Sequence, residues 1–175
     1  MPLRNVFLTH NHADSVEVKQ FFAAVQHQAC HCRMVDASRE PIESNDYDYV
    51  MRVIREQHLS DSSVTIVMIG RCTWARKYVD WEIASTLRDD AVNRRSGLMG
   101  ICLPSICHLP DTTLLGMLPP RLADNVTSGY AQVYRYPKTI IELQGWIDDA
   151  FNARIGRARQ VNNRAELFVY NRTCQ

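Results

Sequence analysis

Val64-Thr65-Ile66-Val67-Met68-Ile69-Gly70 constrains the fold of this chain more than any other stretch. It is apolar nearly throughout and rich in β-branched residues, the composition of a strand covered on both faces. Such strands belong to parallel sheets sandwiched between helices, so the flanking sequence should alternate strand and helix. Asn5 to Thr9 reads as a first strand, followed by a helix with Val18, Phe21, Phe22, Val25 and Ala29 at helical spacing. Arg33 to Val35 reads as a short second strand ending at Asp36, with Cys30-His31-Cys32 finishing the helix before it. Tyr47, Val50, Met51 and Ile54 mark a second helix behind an Asn45 or Asp46 cap. Leu98 to Leu103 forms a fourth strand stopped by Pro104, and Ala131 to Tyr134 a fifth. A last helix gathers Ile140, Leu143, Ile147, Phe151 and Ile155 on one face. Residues 105–129 show no clear periodicity and read as an irregular excursion.

The expected architecture is α/β: a flavodoxin-like three-layer fold with a central five-stranded parallel sheet of order 2-1-3-4-5. Residues 1–159 make the domain. In the tail, 160–175, Leu167-Phe168-Val169-Tyr170 reads as an extra edge strand or a docking segment. A length of 175 residues suits one core. Twenty basic against nineteen acidic residues leave a net charge of +1, so no overall field points to nucleic acid or a membrane surface. The late arginines Arg154, Arg157, Arg159 and Arg164 suit a solvated helix C-terminus. The N-terminal apolar run is too short for a signal peptide, and no stretch approaches the roughly 20 apolar residues of a membrane span. A cytoplasmic location follows as the expectation, with the six cysteines reduced and buried.

In such sheets ligands bind beyond the carboxyl ends of the strands, where the winding reverses between strands one and three. That rule selects two loops, Thr9-His10-Asn11-His12-Ala13-Asp14 and Gly70-Arg71-Cys72-Thr73-Trp74-Ala75-Arg76. Just beyond the second loop a helix begins with Val79, Ile83, Thr86 and Leu87 as its core stripe. Glu82 lies beside that stripe, directly over Tyr78. A carboxylate there is either an ordinary surface glutamate or a partly desolvated group at the crevice.

The usual occupants of this fold do not suit these loops. "THNHAD" has no glycine and one hydroxyl, which disfavours a flavin phosphate. The third strand ends without the aspartate of a phosphoacceptor, and neither a dinucleotide fingerprint nor a P-loop occurs. His10, His12 and Asp14, or Cys30-His31-Cys32, lack the spacing of a zinc framework, so no metal is expected. What remains is a polar crevice in which Arg76 or Arg71 can hold a diphosphate and Trp74 or Tyr78 can stack on a base. A lone carboxylate facing a ribose can steady positive charge as a glycosidic bond breaks. Equally, Trp74 can be a loop anchor and Arg76 a surface cation.

Val6-Phe7-Leu8-Thr9-His10, Asp36-Ala37-Ser38, the run Val64 to Gly70, Thr73-x-x-Arg76-x-Tyr78-Val79-x-x-Glu82-Ile83 and Gly97-Leu98-Met99-Gly100-Ile101 together resemble a TIR-like domain, specifically the family of ThsB from bacterial Thoeris antiphage defence. The stretch from Val64 to Ile83 is the specific part. The resemblance implies a TIR-like fold and cleavage of nicotinamide from NAD, with Glu82 as catalytic carboxylate and Tyr78 at the position usually held by tryptophan. It implies His10 and Asn11 in the loop bordering the substrate and Asp36 at the end of the second strand. With Trp74 and Arg76, these make the expected substrate site. NAD is then a substrate, no cofactor is needed, and an ADP-ribose-derived signal, cyclic or conjugated, reaches a downstream effector. Assembly into a homo-oligomer is also implied. Tyr78 and the loop "THNHAD" depart from the family pattern. The alternatives are a non-catalytic TIR-like adaptor and a nucleotide-sensing protein.

Overall fold

A computed structural model describes residues 3–34, 42, 44, 46–59, 61–90 and 94–174. Five strands, β1 (Arg4–His10), β2 (Cys30–Met34), β3 (Val64–Ile69), β4 (Gly97–Cys102) and β5 (Gln132–Tyr134), form one parallel sheet of order β2-β1-β3-β4-β5. The winding reverses between β1 and β3, which pair from Val6 opposite Val64 to His10 opposite Met68. Among the described residues six α-helices accompany it: α1 (Ser15–Val25), α2 (Tyr47–Gln57), α3 (Lys77–Leu87), α4 (Asp111–Gly116), α5 (Pro120–Thr127) and α6 (Ile140–Gly156).

The alternation of side chains along a strand divides the core into two layers. Val64, Ile66 and Met68 of β3 join Val6 and Leu8 of β1 against Val18 and Phe21 of α1 and Leu143 and Ile147 of α6. Val67 and Ile69 point to the other face, where Val79, Ile83 and Leu87 of α3 meet Leu122 of α5. Phe7 of β1 packs on that second face with Val50, Met51 and Ile54 of α2 and Trp81 and Ala84 of α3. Every residue of β3 is buried, as its composition requires.

The structure corrects several expectations. Cys30-His31-Cys32 belongs to β2 rather than to the end of α1. Strand alternation then buries both cysteines and sends His31 to the exposed side, so the three cannot converge on one metal. Residues 105–129, read as irregular, contain α4 and α5, the latter opened by Pro120 at its first position, where a missing amide does no harm. Asp46 caps α2, its carboxylate accepting from the Tyr49 amide at 3.1 Å. Asn45 lies outside the described residues. The cysteines are not all reduced: Cys72 and Cys174 form a disulfide across 102 residues of sequence. Folding of the tail back onto the loop after β3 brings the two sulfurs together, which no local pattern announces.

From Val161 onward the chain has no helix or strand among the described residues, and it runs along α3 from that helix's last turn toward its first. Asn163 Nδ2 donates to the carbonyl of Ala84 at 3.0 Å. Further on, the Phe168 amide donates to Asp80 at 3.0 Å and the Phe168 carbonyl accepts from Trp81 Nε1 at 2.8 Å. The Lys77 amide, an open donor at the start of α3, donates to Asn171 Oδ1 at 2.9 Å, and the Arg172 amide donates to the Ala75 carbonyl at 2.8 Å.

Candidate functional site

β1 and α3 together place the central carboxylate. Thr9 is the penultimate residue of β1, on the face that looks toward α3. Its hydroxyl donates to Glu82 Oε2. The second carboxylate oxygen, Oε1, lies 2.9 Å from Nδ1 of His58, the residue immediately following α2. Glu82 is only 6% exposed, and the side chains of Glu82 and His58 are each 8% exposed. The reading of Glu82 as an ordinary surface glutamate is therefore overturned. Three elements converge on one carboxylate, and a buried carboxylate needs that many partners, because it cannot retain water.

His10 ends β1 beside this group. Burial pulls its pKa below the ordinary 6.5, partly opposed by the negative charge of Glu82. Nε2 of His10 lies 3.2 Å from the Ser15 hydroxyl, so the first turn of α1 holds the ring. Asn11 follows, 8% exposed, and its carbonyl accepts from the Asp14 amide at 2.8 Å. Asp14 then reaches across to the loop after β3. A Cβ placed on Gly70 would press on the Asp14 carboxyl group, so the lack of a side chain at Gly70 gives that carboxyl its seat. Thr73 stitches this contact, its hydroxyl accepting from the Gly70 amide at 2.8 Å. Burial raises the pKa of Asp14, with Glu17 adding to the effect, while the Thr73 hydrogen bond and the charge of Arg76 oppose it.

The remaining expected residues that the structure describes lie on α3 and the loop before it. Tyr78 is half-buried one turn before Glu82 on the same face of α3, its ring edge-on to Trp81 with centroids 5.5 Å apart. Trp74 is half-buried in the short 3-10 turn Thr73–Ala75. Arg76 Nε donates back to the Cys72 carbonyl at 3.3 Å. Asp36 lies outside the described residues. The structure thus brings Glu82 together with Thr9, His58 and His10, and leaves Trp74 and Arg76 on the neighbouring loop. Among the described residues no group of three or more His, Cys, Asp or Glu side chains is arranged to hold a metal ion.

Two features escaped the sequence reading. His58 looks like a cation at a helix C-terminus and gives no sign of its partner 24 residues away. The other is a cleft of about 620 Å³ between the start of α2, the start of α3 and the tail. Tyr47, Lys77, Tyr78, Trp81 and Phe168 line it, with Lys77 Nζ 4.8 Å from the Trp81 ring centre and 5.3 Å from that of Tyr78. A cation beside aromatic faces suits a planar ligand bearing negative charge. Glu82 lies one turn further along the face of α3 that Tyr78 presents to this cleft.

No curated protein matches the chain. The family model described as Thoeris protein ThsB, TIR-like domain, matches residues 7–106, a span that contains Thr9, His58, Tyr78 and Glu82 and exceeds half of the chain. The parallel sheet, its strand order and this match agree, and the chain belongs to the TIR-like domain family of the Thoeris antiphage defence protein ThsB.

Proposed function

We propose that this domain cleaves NAD, releasing nicotinamide and passing on an ADP-ribose-derived signal within antiphage defence. The observation that carries the reading is the carboxylate of Glu82, withdrawn from water yet gripped from both sides by Thr9 and His58 at the carboxyl end of β1. A fixed negative charge in a water-poor setting stabilises developing positive charge far better than a solvated one. As the bond between the ribose C1′ and the nicotinamide nitrogen breaks, its electron pair leaves with the neutral base and the sugar becomes cationic. Glu82 steadies that cation until water, or a hydroxyl or amine nucleophile, adds at C1′ and loses its proton. The cleft beside Tyr78 and Lys77 supplies an aromatic face and a cation for the base and diphosphate. Trp74 and Arg76, on the loop that leads into Lys77, and His10 and Asn11, at the end of β1, complete the proposed substrate site. The product is a diffusible nucleotide that an effector reads, and NAD is consumed as substrate.

The test is incubation of the purified chain with NAD, alone and with lysate from phage-infected cells, followed by mass spectrometry. Glu82→Gln keeps the volume and removes the charge, so nicotinamide release should fall at least about 100-fold with the fold intact. Absence of nicotinamide release by the unmodified chain under both conditions rejects the reading.

The saturation of both Glu82 oxygens by Thr9 and His58 favours a second reading, an adaptor in which the carboxylate only ties β1, α2 and α3 together. In that case Glu82→Gln leaves antiphage signalling in cells unchanged.

A further inference from the structure

We propose that the tail from Val161 to Cys174 is a redox-latched strap that closes the approach to Glu82, and that reduction of the Cys72–Cys174 disulfide opens it. The proposal rests on Glu82 as the working carboxylate of the site.

The strap has two unequal halves. Its first half is built in. Arg121 of α5, 1% exposed, donates through Nε to Asp80 Oδ1 at 2.9 Å and through Nη2 to Oδ2 at 3.3 Å. The same guanidinium donates to Asn163 Oδ1 and to the Glu166 carbonyl. Asn125 holds Asn162 by a reciprocal pair, accepting from its amide at 3.0 Å and donating to its carbonyl at 2.7 Å. Leu167 packs with Tyr78 on the cluster that contains Trp81. Through Phe168, then, the tail is bound by buried groups.

Beyond Phe168 the character changes. Val169 is 65% and Tyr170 80% exposed, yet both line the cleft. The hydrogen bonds from the Lys77 and Arg172 amides to Asn171 and Ala75 are peripheral, and the covalent tie to Cys72 completes the hold. Apolar side chains kept on a surface by a cross-link have little reason to stay once it is cut. Cys72 lies in the loop between β3 and α3, so the latch fixes the strap to the segment that introduces Glu82's helix. With the latch closed, Leu167 to Tyr170 form one wall of the cleft that Tyr78 also lines, one turn before the buried Glu82.

The chemical step is ordinary thiol–disulfide exchange. A dithiol gives two electrons and two protons to the sulfur–sulfur bond, leaving Cys72 and Cys174 as thiols while the dithiol closes into its own disulfide. Residues 169–174 are then free to leave α3, and the cleft opens toward Glu82.

The experiment labels accessible carboxyl groups of the full chain with a water-soluble carbodiimide and an amine, and reads each site by mass spectrometry. It compares the oxidised chain, the chain reduced with dithiothreitol, and Cys174→Ser. Labelling of Glu82 should rise at least tenfold on reduction and be high in Cys174→Ser under either condition, with exposed Glu142 unchanged throughout. Hydrogen exchange at the Arg172 and Lys77 amides should rise in parallel. Glu82 that stays unlabelled in the reduced chain overturns the strap. So does Cys174→Ser behaving like the oxidised chain. Nicotinamide release is measured on the same samples, alone and with lysate from phage-infected cells: labelling without release under both conditions rejects NAD cleavage and leaves the strap standing, whereas release that falls on reduction makes the tail a substrate wall and overturns closure.

Discussion

The hydrogen bond from Thr9 to Glu82 sets what single substitutions at the site should do. Thr9→Val keeps the shape and removes the donor, leaving a buried carboxylate oxygen without its partner. Stability should fall by about 1–3 kcal/mol in urea titrations, and Thr9→Ser should recover most of it. His10 adds a pH dependence whose direction follows from its lowered pKa. The folded state binds a proton at His10 less readily than the unfolded chain does, so this residue's contribution is fully present above pH 6.5 and is lost as pH falls below it. Thermal melts of the unmodified chain and His10→Gln should therefore converge toward neutral pH, with the unmodified chain losing ground between pH 6.5 and 5. Asp14, raised by burial, pulls the other way: its contribution is present below its ordinary 3.8 and declines as pH rises through its folded value, so it does not mimic the histidine.

At the scale of elements, α3 is the helix on which everything turns, and its burial explains why. From Val79 to Leu87 every residue is buried, although a helix covering one face of a sheet needs only a stripe. The sheet lies on one side, α2 and α5 flank it, and the tail covers what remains. The buried pair of Asp80 and Arg121 joins three of these parts. Removing either partner strands the other charge, so Asp80→Ala and Arg121→Ala should each cost about 3–5 kcal/mol, while the double variant should cost much less than their sum. A double-mutant cycle in denaturant measures the difference. Neither residue shows its role in the sequence. Asp80 reads as a favourable acid in a helix's first turn, and Arg121 falls in a stretch whose two short helices, of six and eight residues, carry too few turns to display a period. The position of Glu82 was legible because the apolar stripe of α3 fixes what lies beside it.

For the whole molecule, the sheet was readable from Val64 to Ile69 and the strand order from the alternation of elements, since both follow from short-range pattern. Contacts made by chain reversal were not: His58 on Glu82, the tail along α3, and Cys72 with Cys174. The disulfide joins residues 102 apart in sequence, and cross-links over long loops restrict the unfolded chain most. Cys72→Ser should therefore lower stability by about 2–4 kcal/mol, read from the shift in the urea midpoint, with much of the tail's order lost alongside.

The close seating of Asp14 over Gly70 carries a lesson about descent. A methyl group at position 70 would press only on the far end of the Asp14 side chain, so a larger residue there makes the aspartate turn aside. A lineage that enlarges position 70 gives up the carboxyl group now seated there, and its loop after the first strand is left to find another closure.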